Sequence, residues 1–293
     1  MDNFLHGPTP PDGIDSSSET LNDLGRGSIA FERAPLEKLY EVAFLEGEGI
    51  GTAYEYLVKW RSLQPLFKFG IRSILVLGLP EKYGTSMDFV MLADHHGCGL
   101  TMVDDRSKSV NKCRNVLREM TERGLLRKTP RLIEVDDLLN HPKDIGVFDL
   151  ALSCEVLQRL APIRRRDYVR NALGIAKYAA VFAPNKSNGS HAKISKLGAM
   201  ELSELQKLFN GYQIVDEGYV DMPPFPPGLK TKSRNRASGT HRALQDKIVI
   251  RLLDGWSKIE RLSTGFKPGN SHIVFVMAAA NSTNPPESGP LRR

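Results

Sequence analysis

The chain has 293 residues, 41% of them hydrophobic and 25% charged, and its formal net charge of +6 permits an anionic partner without requiring one. No apolar run approaches the roughly 20 residues of a membrane-spanning helix, the N-terminus lacks the pattern of a signal peptide, and the three cysteines have no metal-ligand spacing. We therefore expect a cytoplasmic protein with no membrane partner and no bound metal.

The order of patterns along the chain predicts one domain with extensions. Residues 1–28 are rich in Pro, Gly, Ser and Asp and predict a flexible tail. Residues 29–70 have apolar positions at helical spacing and predict N-terminal helices. Residues 71–280 alternate short apolar runs with helical patterns, which predicts a mostly parallel sheet with helices on both faces. Residues 281–293 predict a second flexible tail.

The first two predicted strands enclose a glycine turn and end on acids. The apolar run Ile74–Leu77 stops at Gly78, and after a helical pattern the run Leu100–Val103 stops at Asp104 and Asp105. Strand, glycine turn, helix, strand and acid are the first half of a nucleotide-binding βαβ unit. The acids lie about twenty residues past the turn, where a ribose-binding carboxylate usually occurs. The alternative is an acidic pair that stabilises the next helix N-terminus.

Polar residues also follow the third and fourth predicted strands, Leu132–Val135 and Val147–Leu152. The carboxyl ends of parallel strands share one edge of the sheet, so these residues are candidates for a ligand site. The alternatives are an ordinary loop cap after the third strand and a helix first turn after the fourth. The residues concerned are Asp136, Asp137, Ser153 and Glu155.

After a fifth strand, Tyr178–Ala183, the pattern predicts strands at Tyr212–Val220 and Ser271–Ala278 with an insertion at 221–270 between them. The insertion holds a basic group, which a solvated face explains most simply and an anionic acceptor or nucleic acid explains alternatively. Its members are Lys230, Lys232, Arg234, Arg236 and Arg242. An amphipathic helix follows, whose apolar stripe predicts core or a homodimer surface. That stripe is Leu244, Ile248, Leu252, Trp256 and Ile259.

This order resembles the class I S-adenosylmethionine-dependent methyltransferases, and three segments carry the resemblance. Phe148–Leu157 is similar to the family's motif after its fourth strand, Ala180–Asn185 to its fifth strand, and Gly198–Leu205 to the helix start that follows. The resemblance implies an α/β, Rossmann-like, seven-stranded and mostly parallel sheet whose last strand is antiparallel. It also implies S-adenosylmethionine as cofactor and methyl transfer to an unidentified acceptor, either a small molecule or an anionic substrate.

The resemblance and the acids at the strand ends together predict the cofactor site, because carboxylates suit the sulfonium and ammonium of S-adenosylmethionine. The candidate cofactor-binding residues are Gly78, Glu81, Gly84, Asp104, Asp105, Asp136, Asp137, Ser153 and Glu155. Candidate catalytic residues are His191 and Glu155, whereas His95 and His96 predict a surface pair rather than a metal site.

Two alternatives to methyl transfer remain open. The glycine motif departs from the family, with Val76 at the position of its acid and Pro80 and Lys82 at glycine positions. This departure keeps a non-catalytic binding or scaffold protein as an alternative. A nicotinamide-dependent oxidoreductase is disfavoured, since Glu81 repels phosphate and no G-x-G-x-x-G is present.

Overall fold

The computed structural model describes residues 37–80, 84–140, 145–189, 198–224 and 240–280. Both predicted flexible tails, 1–28 and 281–293, lie outside these ranges, as do Glu81 and His191. Within the described ranges, no helix is both long enough and apolar enough to cross a membrane.

A single seven-stranded sheet forms the centre of the protein. Its strands are β1 (Ser73–Leu77), β2 (Gly99–Asp104), β3 (Arg131–Glu134), β4 (Phe148–Cys154), β5 (Ala176–Pro184), β6 (Gln213–Val220) and β7 (Ile273–Ala279). The order across the sheet is β3-β2-β1-β4-β5-β7-β6. Strand β7 is antiparallel to both β5 and β6, whereas β1 to β5 pair in parallel. The predicted Rossmann-like fold with an antiparallel last strand is therefore confirmed.

Helices cover both faces of this sheet. They are α1 (37–45), α2 (Ile50–Phe67), α3 (Met87–His96), α4 (Ser107–Glu122), α5 (Pro162–Ile175), α6 (Leu202–Leu208) and α7 (Thr240–Phe266). Side chains alternate between the faces along a strand. Ile74 and Val76 of β1 therefore pack with α1 to α4 and α7, while Leu75 and Leu77 pack with α5 and α6.

Helix α7 buries a side that differs from the apolar stripe for which the sequence predicted core or a homodimer surface. Ile248, Leu252 and Ile259 are 50%, 68% and 49% exposed. The buried side instead follows the helical spacing Ile250, Leu253, Ser257, Glu260 and Thr264. The core alternative therefore fails for Ile248, Leu252 and Ile259, whereas Trp256 of the predicted stripe is partly buried against the core. The buried side accommodates polar residues because Ser257 donates to the Asp254 carbonyl and Glu260 accepts from Tyr54. The use of the exposed stripe as a homodimer surface stays a prediction.

Candidate functional site

The candidate site lies at the carboxyl ends of β1, β2 and β4. Strand order reverses at β1, which has β2 on one side and β4 on the other. In open α/β sheets such a reversal leaves a crevice in which ligands bind. Gly78, Asp104 and Glu155 directly follow or end these three neighbouring strands, so the fold brings them to the same edge.

Gly78 is required by both conformation and packing. Its φ of +84° is in the left-handed region, where residues with a Cβ are strained. A Cβ at this position would lie 2.8 Å from Val156 Cγ2 and 3.0 Å from Leu138 Cδ1. The side chains of Val156 and Leu138 therefore occupy the space beside the glycine, which makes Gly78 part of a packed turn.

Asp104 is completely buried and its carboxylate is filled by donors from this chain. Oδ2 accepts hydrogen bonds from Leu79 N at 2.6 Å, Arg106 Nη2 at 3.0 Å and Arg159 Nη2 at 3.2 Å. Oδ1 accepts from Arg106 N and Arg106 Nε, both at 2.9 Å. Asp104 thus ties the end of β2 to the turn after β1, and two arginines balance its charge.

The two arginines extend this network beyond Asp104. Arg106 Nη2 also donates to the carbonyl oxygens of Leu79 at 2.7 Å and Pro80 at 3.2 Å. Arg159 Nη1 donates to Asp105 at 2.6 Å. Two acids and two guanidiniums therefore form a balanced group, in place of the uncompensated acids that the strand ends suggested. Asp105 is the more accessible acid, with 22% of its side chain exposed.

The acids after β3 do not point to one shared role. Asp136 is exposed. Asp137 accepts from Leu139 N at 2.9 Å, Asn140 Nδ2 at 3.2 Å and Arg164 Nη2 at 2.6 Å. The Leu139 backbone bond and the Arg164 guanidinium together lower the pKa of Asp137. These contacts are those of a loop cap, the alternative that the sequence left open.

Ser153 and Glu155 occupy the turn that leaves β4. Ser153 Oγ accepts a hydrogen bond from the Tyr168 hydroxyl at 2.8 Å, and both side chains are buried. Glu155 has a left-handed φ of +55° and is 8% exposed. Its N–H donates to the Phe182 carbonyl of β5 at 3.0 Å. A strained, buried acid beside the β1 turn is consistent with a ligand-facing role.

Gly84 packs against a buried acid on the approach to α3. Its φ is +68°, and a Cβ there would lie 2.7 Å from the Tyr56 hydroxyl. That hydroxyl donates to the carboxylate of Glu46. The same carboxylate accepts two hydrogen bonds from Thr85, one from its backbone N–H and one, at 2.7 Å, from its hydroxyl. Burial raises the pKa of Glu46 to about 7, against the hydrogen bonds that lower it.

Sequence reasoning missed Lys59, whose charged end is buried between α2 and α3. Lys59 Nζ lies 2.7 Å from Glu55 Oε1, 2.9 Å from Asp88 Oδ2 and 3.4 Å from Cys154 Sγ. Burial opposes its charge, but the carboxylates of Asp88 and Glu55 raise the pKa of Lys59 well above its usual value. The available signal was a lysine at helical spacing with Tyr56 and other apolar residues of α2.

A second missed group lies where β6 ends and β7 begins. His272 Nδ1 is 2.8 Å from Asp221 Oδ2. Burial lowers the pKa of His272, but the neighbouring Asp221 outweighs it and the pKa is raised. Nearby, the Tyr54 hydroxyl donates to Glu260, whose pKa burial raises to about 7. These residues are far apart in the sequence, which gave no sign that they meet.

Buried polar atoms without a hydrogen-bond partner concentrate at this edge of the sheet. They belong to the start of α3, the turn after β4, the C-terminal part of α7 and the residues just before β7. In the described part of the chain they include Ser86 Oγ, Asp88 Oδ1, both amide atoms of Gln158, Arg159 Nε, Glu260 Oε1 and Ser271 Oγ. Most buried polar groups in proteins are hydrogen-bonded, so a cluster of exceptions indicates a place for a polar ligand or water.

No protein-family model matches the chain, and neither does any curated protein sequence. Solved structures with similar folds include magnesium protoporphyrin IX methyltransferase (ChlM) from Synechocystis PCC 6803 with bound S-adenosylmethionine, at 11% identity and TM-score 0.45. That alignment covers 90% of this chain and 100% of ChlM.

A second similar structure is the N-methyltransferase NodS from Bradyrhizobium japonicum WM9, in complex with S-adenosylhomocysteine. It has 12% identity and TM-score 0.45, and the alignment covers 76% of this chain and 86% of NodS. The S-adenosylmethionine-dependent methyltransferase SibL has 13% identity and TM-score 0.47 over 79% of this chain and 56% of SibL. At this similarity only the fold is comparable, so cofactor and activity are argued from the contacts within this chain.

Proposed function

We propose that the carboxyl edge around β1 and β4 binds S-adenosylmethionine and that the protein transfers its methyl group to an acceptor. The cluster of buried polar atoms without partners is the observation that supports this most directly. Ser86 and Asp88 follow the turn after β1, and Gln158 and Arg159 follow β4, so this part of the cluster lies next to the strand-order reversal. A polar ligand with several hydrogen-bonding groups fits such a place better than an apolar one.

The contacts of the acids divide their roles. Because donors of this chain already fill the Asp104 carboxylate, we assign it to holding the turn after β1. Within the described ranges the side chain of Asp105 accepts from Arg159 alone and is partly exposed, so it is better placed to accept hydrogen bonds from hydroxyl groups of an adenosyl ligand. Glu155 remains a candidate for the floor of the site.

S-adenosylmethionine supplies a methyl group on a sulfonium, and the protein contributes mainly by holding donor and acceptor in line. A base is needed only where the acceptor must lose a proton. Asp221 and His272 are candidates for that role, since a carboxylate at 2.8 Å orients the imidazole. They join Glu155 and His191 as candidate catalytic groups.

A second candidate function is a non-catalytic binding or scaffold role. The specific observation in its favour is that Arg106 and Arg159 already fill the Asp104 carboxylate. A ligand hydroxyl that needs Asp104 must displace an arginine, which costs part of the binding free energy. A cytoplasmic location, a homodimer and a small-molecule or anionic acceptor also remain proposals.

Calorimetric titration with S-adenosylhomocysteine and S-adenosylmethionine tests the binding step. We expect saturable binding that Asp105→Asn weakens and Asp167→Asn leaves unchanged, since Asp167 is an exposed acid on α5. No heat at millimolar ligand with folded protein would refute the proposal. Transfer of a tritiated methyl group to components of a cell extract separates the candidates, because a scaffold protein binds without transferring.

A further inference from the structure

A buried ionic cluster adjoins the proposed donor site and has no part in the roles assigned above. Lys59 Nζ contacts Glu55 Oε1 at 2.7 Å and Asp88 Oδ2 at 2.9 Å. The side chains of Lys59 and Asp88 are 2% and 1% exposed. When both acids are ionised, the two carboxylates exceed the single ammonium by one negative charge.

The cluster lies at the carboxyl end of β4. Lys59 Nζ is 3.4 Å from Sγ of Cys154, the last residue of that strand, and β4 pairs directly with β1. The rings of Tyr56 and Phe89 lie 5.2 Å and 5.3 Å from the same ammonium. Asp88 itself is in the first turn of α3, soon after the turn at Gly78. The cluster is therefore next to the strand-order reversal.

Two acceptor atoms of this region are not used within the described residues. Asp88 Oδ1 and Ser86 Oγ have no hydrogen-bond partner there, although Asp88 and Ser86 are only 1% and 2% exposed. Ser86 also has a left-handed φ of +61°. A buried carboxylate oxygen without a donor is unfavourable, and no donor for Asp88 Oδ1 is present in the ranges that the structure describes, so a bound donor would stabilise the arrangement.

We propose that Asp88 and Ser86 bind an organic ammonium, and that it is the ammonium at the amino-acid end of S-adenosylmethionine. This inference rests on the proposed function. An ammonium carries three donors and a positive charge, which match two acceptor atoms that have no partner among the described residues, one of them on a carboxylate. A sulfonium has no N–H or O–H donor, and a ligand carboxylate would be repelled by Glu55 and Asp88. Lys59 is a positioning residue, because it fixes Asp88 through Oδ2 and leaves Oδ1 to the ligand.

Ligands with and without the ammonium test this assignment. Calorimetry would compare S-adenosylhomocysteine and decarboxylated S-adenosylmethionine, which carry the ammonium, with 5′-methylthioadenosine, which lacks it. We expect Asp88→Asn to raise the Kd of the two ammonium-bearing ligands by on the order of tenfold or more. The Kd of 5′-methylthioadenosine should rise by less than about twofold. The matched control is Asp94→Asn, which changes an ion-paired acid at the other end of the same helix.

The outcomes separate this inference from the proposed function. If the wild-type protein binds none of the three ligands, both fail. If all three ligands bind and Asp88→Asn lowers their affinities equally, or lowers none of them, the proposed function stands and the ammonium site is wrong. Should Asp88→Asn not fold, the triple variant Glu55→Gln, Lys59→Met and Asp88→Leu removes all three charges of the cluster together. It leaves no member of the cluster unpaired and is read by the same comparison.

Discussion

Replacing Asp104 by alanine should destabilise the fold, and this loss of stability should be its main effect rather than a loss of ligand binding. The side chain is completely buried and accepts five hydrogen bonds, from Leu79 N, three nitrogens of Arg106 and one of Arg159. The variant leaves the Leu79 N–H without its acceptor. It also leaves two guanidiniums without their shared carboxylate.

The charged contacts decide the size of this effect. Losing one neutral hydrogen bond costs about 1 kcal/mol, whereas breaking a buried ion pair from one side costs about 3–5 kcal/mol. The side chains of Arg106 and Arg159 are 26% and 12% exposed, so water relieves part of the penalty. We expect a loss of about 3 kcal/mol in the free energy of unfolding, or roughly 6–12 °C in Tm.

Urea unfolding followed by circular dichroism measures this loss. Asp105→Ala is the matched control, because that carboxylate is partly exposed and, among the residues that the structure describes, pairs only with Arg159. It should cost less than about 1 kcal/mol. An Asp104→Ala variant as stable as Asp105→Ala would show that the network around β1 and β2 does not hold the fold together.

Three further predictions concern single groups. Burial raises the pKa of Glu46 from 4.5 to about 7, so its contribution to stability is present below pH 4.5 and is lost as the pH rises through 7. Between pH 4.5 and 7.5 the free energy of unfolding of Glu46→Gln, measured with urea, should rise by roughly 3 kcal/mol relative to that of the wild type. Plots of unfolding free energy against pH that run parallel for the two proteins would contradict this. Gly78→Ala should lower the urea midpoint more than Gly124→Ala, which also has a positive φ but faces open space; equal midpoints would remove the packing argument. Thiol labelling by a disulfide reagent should be slow in the native state and rapid after unfolding, because all three cysteines are buried free thiols: Cys98, Cys113 and Cys154.

The sheet was predictable from the sequence because its central strands are buried on both faces. The run Ile74–Leu77 lies within β1, and Leu100–Val103 lies within β2. Such strands are continuous apolar runs, and turns or acids mark their ends. The register of α7 was not predictable, since its buried stripe includes Ser257 and Glu260. Ser257 bonds to the Asp254 carbonyl of its own helix, whereas the Tyr54 partner of Glu260 is supplied only by the tertiary fold.

The position of site residues was predictable, but their contacts were not. The pattern correctly put Asp104 at the end of a strand beside the glycine turn. The Asp104 carboxylate, however, is also bonded by Arg159, which follows β4 and is distant in the sequence. In the same way, Lys59 of α2 contacts Asp88 of α3. Contacts between distant segments leave no periodic signal in a single sequence. The ligand roles of the candidate residues therefore stay predictions.

The location of β7 has a consequence for synthesis of the protein on the ribosome. Residues Ile273–Ala279 sit in the interior of the sheet between β5 and β6, although translation produces them after both neighbours. Until they emerge, the edge of β5 that carries Val181 and Phe182 has no strand beside it. Nascent chains paused before Ile273 should thus be prone to aggregation and should engage chaperones, while completion of β7 closes the sheet.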